Sequence, residues 1–245
     1  PSQVGEVSKM EAYDLLIISP AAWTGELQRL SEHKEQHNLA TKLVTLDDIY
    51  YGAYFPVQGR DEAEQIKYFI KAALDNWNIT YVMLVGGRLP SLRDEPWWLP
   101  PRYSHIEDNV ATEEDTYLSD LYFADIYTDN GTFSSWDTDQ DGIYGEWRKN
   151  KPAEDICDLY PDVYVGRLAC RNRYEVNTMV DKIITYENNV HGAPWFDTFV
   201  TVAGDTYTFN DYNEGEVIAQ DAIDRVPGMS PVKLWTSDDS LQGWR

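Results

Sequence analysis

One pattern limits the folds open to this chain more than any other. Ile66, Phe69, Ile70, Ala73, Leu74 and Trp77 recur at helical spacing, and Asn78 alone separates them from the apolar run Ile79 to Val85. A helix with a single apolar stripe needs a surface to cover. An apolar run of strand length that stops at Gly86 and Gly87 reads as a strand buried on both faces. The same alternation precedes it. Tyr13 to Ser19 reads as a buried strand stopped by Pro20, Thr24 to Asn38 as a helix capped by Thr24, and Thr41 to Leu46 as a second strand ending at Asp47 and Asp48. Strand, helix, strand, helix, strand with short connections implies right-handed crossovers and a parallel sheet covered on both faces. The class is α/β.

From Arg88 to Glu154 the regular pattern lapses into a stretch rich in Trp, Pro and Asp, with one strand-like run at Leu121 to Tyr127. An irregular segment of this length inside a compact domain is usually functional or stapled by ions, because its ordering entropy must be offset. Regularity returns with a strand at Asp162 to Ala169 and a helix at Arg173 to Asn188, whose stripe is Val176, Met179, Val180, Ile183 and Ile184. His191 to Pro194 reads as a linker, after which the pattern restarts. Phe199 to Ala203 is a strand, Glu214 to Val226 a helix and Val232 to Trp235 a strand. KLVTLDD at 42–48 and KLWTSDD at 233–239 each close a strand–helix–strand unit. This weak internal repeat points to a second copy of a similar unit whose remainder would follow Arg245. The domain reading is one subdomain over 1–192, with a long acidic and aromatic insertion at about 88–154, and the opening of a second over 193–245.

Charge excludes some partners. The net charge of -22, from 42 acidic against 20 basic residues, would repel a phosphate backbone and argues against nucleic acid and anionic membranes. Cations and basic substrates fit better. No apolar run approaches the length of a membrane span and no signal peptide opens the chain at Pro1, as expected equally of a processed secreted protein and of a fragment. Cys157 and Cys170 are too few for a disulfide framework; a single bridge and two buried thiols both remain open.

The sharpest local motif is DTDQDGIYGE at 137–146. Acids at its first, third and fifth positions and Gly at its sixth suit an EF-hand-like loop, in which alternate oxygens converge on one hard cation. The expected ligands for Ca2+ are Asp137, Asp139, Asp141, the carbonyl of Ile143 and Glu146, although Glu146 precedes the usual final position, held here by Arg148. The alternative is a solvated acidic turn. His33 and His37 have the spacing of paired metal ligands, but Lys34 stands where a metalloprotease motif needs Glu, so a solvated helix face is expected. His191 lies in a linker, and His105 has no partner that the sequence identifies. Cys170 ends a strand without a neighbouring base, which argues against a nucleophilic role. No GxSxG elbow and no Gly-rich phosphate loop is present. In the restarted unit, the strand runs through Gly204 into Asp205 and Asp211, where ligands of open α/β sheets bind. Asp211 also stands three residues before Glu214, the spacing of a helix-capping box.

With these elements placed, the chain resembles the gingipain family of cysteine peptidases, of the caspase-like clan. The resemblance rests on YVMLVGG at 81–87, SDLY at 119–122, DVYVGRLAC at 162–170, KIITYE at 182–187 and Trp195, in family order across nearly the whole chain. It implies a caspase-like three-layer fold, a parallel sheet flanked by helices, with one complete non-catalytic subdomain and the start of the catalytic one. It further implies that Asp205 orients the catalytic His, with Thr206 as the other candidate for that match, and that Asp211 is the carboxylate of the S1 pocket selecting a basic P1 residue. The family's His and its nucleophilic Cys would both follow Arg245. The expected activity is a secreted cysteine endopeptidase cutting protein or peptide substrates after Arg or Lys. Arg245 is itself a residue after which such an enzyme would cut, so this chain reads either as a self-cleaved N-terminal piece or as a truncated one. The competing reading is a non-enzymatic caspase-like scaffold or calcium-dependent adhesion module.

Overall fold

The computed structural model describes residues 12–89, 96–107, 116–205, 207, 209 and 212–241. Its chain divides into two compact units, 1–184 and 185–245.

The first unit is built on strand β1 (Leu15–Ser19), all five residues of which are buried. Helix α1 (Thr24–Gln36) leads to β2 (Thr41–Thr45), short helix α2 (Leu46–Tyr50) and long helix α3 (Glu62–Trp77) to β3 (Tyr81–Val85). The small strands β4 (Tyr103–Glu107), β5 (Thr116–Leu118) and β6 (Trp147–Arg148) precede β7 (Tyr164–Leu168) and helix α4 (Arg173–Asn189). The main sheet has four strands in the order β2-β1-β3-β7, every pair parallel. Side-chain alternation on β1 sorts its residues between two cores. Leu16 and Ile18 join Ile66, Ile70 and Ala73 of α3, while Leu15 and Ile17 join Leu27 and Leu30 of α1 and Val176 and Val180 of α4. These are the three layers of the expected caspase-like α/β arrangement.

Local chemistry shifts several element boundaries. Thr24 is the first residue of α1 and not its cap: a 3-10 turn at Ala21–Trp23 precedes it, and Thr24 Oγ1 donates to Ala21 O at 3.0 Å. Asp47 and Asp48 belong to α2, where Thr45 Oγ1 accepts from Asp48 N at 3.0 Å and Asp48 Oδ2 accepts from Thr45 N at 2.9 Å, a capping box. Leu121 to Tyr127 is not a strand. Asp120–Phe123 forms a 3-10 turn that buries Tyr122 and Phe123 together, and Asp162 Oδ2 accepts from Ile126 N and Tyr127 N at 2.7 and 2.8 Å. A short apolar run does not separate strand from turn by periodicity, and here tertiary burial decided. His33 is buried, where solvation was expected, while His37, just past the end of α1 with its ring 4.4 Å away, is exposed as expected. Cys157 and Cys170 are both free thiols. No helix among the described residues is long and apolar enough to cross a membrane.

The insertion is a packed layer. Leu99, Tyr122, Phe123, Ile126, Trp136 and Tyr144 are buried against α3. Its charged staples are bidentate: Arg102 donates to both oxygens of Asp61 at 2.9 and 2.8 Å, and Arg167 to both of Asp120 at 2.7 and 2.8 Å. Arg102 also lies 3.5 Å from the Tyr144 ring centroid. Gly87 meets the chain beyond β7 so closely that a Cβ would sit 2.2 Å from Ala169 O, which is why the second residue after β3 must lack a side chain.

Lys67 of α3 is fully buried beneath this layer, donating to Ser134 O with Nζ 4.1 Å above the Tyr122 ring. Burial pulls its amine down to about 7. A base whose folded-state pKa falls below its unfolded value lets the unfolded chain bind more protons across the window between the two. The contribution of Lys67 to stability therefore rises with pH, from about 7 to its unfolded value of 10.5. Lys67→Met is predicted to be more stable than the parent at neutral pH and to lose this rise, as read by urea unfolding at several pH values between these limits.

The second unit begins anew. Strand β8 (Thr198–Ala203) leads through α5 (Glu214–Asp224) to β9 (Ser230–Trp235), and β8 and β9 pair in parallel from Thr198 opposite Ser230 to Ala203 opposite Trp235. The repeated KLVT and KLWT segments thus occupy corresponding places, each in the strand that returns beside the first of its unit.

Candidate functional site

Two groups of acidic residues are positioned by this framework. The first lies in the insertion. Asp137 is 1% exposed; its Oδ1 accepts from Asp141 N and its Oδ2 from Gly142 N, both at 3.1 Å. Asp141 Oδ1 accepts from Ile143 N at 2.7 Å, and Gly142 takes a φ of +90°, the turn that the sixth position of such a loop requires. These bonds fold the loop over its own carboxylates.

One carboxylate oxygen from each of Asp137, Asp139 and Asp155 lies within 4.8 Å of the other two. Asp141 and Glu146 stand outside this trio: Asp141 caps the turn, and Glu146 is buried with Oε1 2.5 Å from Arg148 Nη2. Asp155 was not visible to sequence spacing, since it arrives from a separate segment and is held there by Thr138 N on Oδ1 at 2.6 Å and Glu146 N on Oδ2 at 2.9 Å. Burial, with the charges of Asp137 and Asp139 added, pushes its carboxyl above the usual carboxylate range. Arg60 Nη1, 2.6 Å from Asp137 Oδ2, supplies compensation on one side. A cleft of about 700 Å³ shared by Arg60, Glu64, Tyr68, Phe133 and Asp137 opens the loop to solvent. Hard oxygen donors, converging and short of positive charge, fit a calcium ion better than a softer metal.

The second group lies at the carboxyl end of β8. Gly204 and Asp205 follow the strand, and Asp205 is exposed, with Oδ1 accepting from Tyr207 N at 2.9 Å. Thr206 and Asp211 lie outside the described residues, as does Arg245. Asn213 stands at the N-cap position of α5 without a side-chain bond to a backbone N–H of the first turn, so no capping box forms there, and the alternative of a box from Asp211 to Glu214 rests on a residue outside the described ones. Glu216 is 9% exposed, and its Oε1 accepts from Asn213 Nδ2 at 3.0 Å, Thr236 Oγ1 at 3.1 Å and Ser237 N at 2.9 Å. The bonds from Ser237 and Thr236 hold its carboxyl below the usual range.

Neither thiol has the surroundings of a nucleophile. Burial, reinforced by Asp155 and Asp125, pushes Cys157 up to about 12, and burial also raises Cys170.

The model of peptidase family C25 matches residues 8–245. The chain belongs to peptidase family C25, the gingipain family. Its fold is similar to that in the complex of Porphyromonas gingivalis RgpB pro- and mature domains, with a TM-score of 0.53 and 18% identity over 91% of this chain and 42% of that one. A second similar structure is dimeric latent PorU from Porphyromonas gingivalis, with a TM-score of 0.50 and 18% identity over 81% of this chain and 20% of that one. The chain thus spans less than half the length of either. No match is found among curated proteins.

In the 245-residue chain, both thiols are predicted to resist iodoacetamide at pH 8 in the folded state and to react at once after unfolding in urea, as read by intact mass.

Proposed function

We propose that this chain is the N-terminal portion of the catalytic domain of a secreted cysteine endopeptidase that cleaves protein substrates after Arg or Lys. The observation that carries the reading is the family match from residue 8 to residue 245, which runs through both units. The first unit is then the non-catalytic subdomain, and the second opens the catalytic one. Its His and nucleophilic Cys would be supplied by sequence following Arg245.

In this mechanism the thiolate attacks the scissile carbonyl and forms a thioester as the peptide C–N bond breaks, and the His imidazolium gives its proton to the departing amine. Water, deprotonated by the same His, then releases the acyl group and regenerates the thiol. Asp205 accepts a hydrogen bond from the imidazole and holds its tautomer. Asp211 pairs with the guanidinium or ammonium of the P1 side chain, a charge-assisted contact that a neutral side chain does not make. The net charge of -22 suits substrates bearing basic residues.

The reading extends to a structural calcium ion held by Asp137, Asp139 and Asp155, with Asp141 closing the loop and the Ile143 carbonyl and Glu146 at its border. The ion would neutralise a carboxylate cluster that otherwise opposes folding of the insertion, so its contribution is to stability.

Two outcomes are expected. In the complete enzyme, Asp211→Asn removes the preference for Arg and Lys over neutral P1 residues by about a hundredfold or more in kcat/KM; unchanged preference refutes the S1 role. Calcium at a hundred times its Kd stabilises the folded chain by about 2.7 kcal/mol, read as a rise in Tm. Asp155→Asn loses that rise, and an equal rise in the variant would exclude the trio as the binding site.

A further inference from the structure

One turn of the insertion holds basic residues in the open. Lys149 to Glu154 are all exposed, between Arg148 at the end of β6 and buried Asp155. The turn is tight: Lys151 N donates to Arg148 O at 3.2 Å, and Asn150 takes a φ of +63°, in the left-handed region. Its two flanks are fixed independently. Upstream, Arg148 pairs with Glu107 across β6 and β4, and Lys149 N donates to Glu107 O at 2.8 Å. Downstream, Asp155 accepts from Thr138 N and Glu146 N, and Ile156 N donates to Thr138 Oγ1 at 2.9 Å. Basic side chains elsewhere are less available. Arg29, Lys71 and Lys182 stand within α1, α3 and α4, Lys67 is buried, and Arg102 and Arg167 are each held by a carboxylate.

Resting on the reading that the complete enzyme cuts after basic residues, we propose that this turn is an internal processing site, cleaved after Lys149 by another molecule of the same enzyme. Nicking favours exposed turns because the chain must straighten locally before a peptidase can take it. Release of the bonds from Lys149 N to Glu107 O and from Lys151 N to Arg148 O frees the residues on both sides of the Lys149–Asn150 bond. Lys151 is a poorer point of cleavage, since Pro152 follows it and carries no N–H. Arg148, Lys149 and Lys151 also form a basic run in a chain of net charge -22, so an acidic second molecule is drawn to this turn. In the cut, the thiolate adds to the Lys149 carbonyl, the C–N bond breaks, and the Asn150 amine departs with the proton of the imidazolium. Water then hydrolyses the thioester, so that one water is consumed, Lys149 ends in a carboxylate and the thiol is regenerated. Because each flank is anchored separately, the two pieces stay assembled, and the trio of Asp137, Asp139 and Asp155 is then shared between them.

The test uses the complete enzyme with its nucleophilic Cys replaced by Ala as the substrate. It is treated with a trace of active parent and, separately, with an unrelated lysine-specific endopeptidase. Both are expected to make their first cut after Lys149, giving a fragment that begins at Asn150 by mass spectrometry in denaturant. The elution volume of the nicked protein under native conditions is expected to be unchanged. Lys149→Gln is expected to slow this cut about tenfold or more, while the same substitution in active enzyme leaves the hydrolysis of short peptides at the parent rate. First cuts elsewhere by both peptidases overturn the proposal, as do equal nicking of the Lys149→Gln substrate at this turn and separation of the pieces under native conditions. Cleavage after Lys149 by the lysine-specific endopeptidase but not by the parent overturns self-processing and places the failure in the proposed specificity, since the turn is then shown to be accessible.

Discussion

The burial of β1 on both faces is the constraint on which the first unit depends. Its five residues lie between two helical layers, and strict alternation sends Leu16 and Ile18 to one core and Leu15 and Ile17 to the other. A strand in this position cannot be joined to its neighbours by hairpins without leaving a face uncovered. The connections from β1 to β2 and from β2 to β3 cross over through helices and the one from β3 to β7 through the insertion, all returning in parallel, which brings every strand's carboxyl end to the same edge of the sheet. The close approach of Gly87 to Ala169 sits at that edge, and the parallel pair β8 and β9 applies the same rule to bring Gly204 and Thr236 together in the second unit.

The insertion shows how irregular chain is made to hold a shape. Its aromatic residues cover α3 as a helix would elsewhere, and its guanidinium groups satisfy the charges and carbonyls buried beneath them. Arg167 binds both oxygens of Asp120 and also donates to Gly86 O at 2.8 Å and Leu99 O at 2.9 Å, so one side chain joins the end of β3, the insertion and β7. Such bidentate pairs fix geometry more than they add stability, because desolvation offsets much of their attraction. The acidic loop is the opposite case, a set of converging carboxylates that Arg60, paired with Asp137, balances in part.

The sequence made the main elements legible because their signals are local. The stripe of α3 and the apolar runs at β1 and β3 state their burial directly, and the restart after His191 is visible in repeated strand sequences. What escaped notice depends on contacts between distant segments. Asp155 reaches Asp137 and Asp139 by folding, with no spacing to announce it. Leu121 to Tyr127 looked like a strand because a run of apolar residues carries no period when both sides are packed. The start of α5 after Asn213 was obscured by Asp211, which offers a capping-box spacing two residues earlier. Glu216 has no spacing that announces its bonds, since its partners Thr236 and Ser237 arrive from the chain beyond β9.

The central claim is that the second unit opens a catalytic half built to accept basic side chains. It is tested most directly by the cleavage profile of the complete enzyme on a peptide library of unbiased composition. The account predicts cleavage that requires a reduced thiol and falls after Arg or Lys. Thiol-dependent cleavage after apolar or acidic residues, or cleavage indifferent to the residue before the cut, would contradict it.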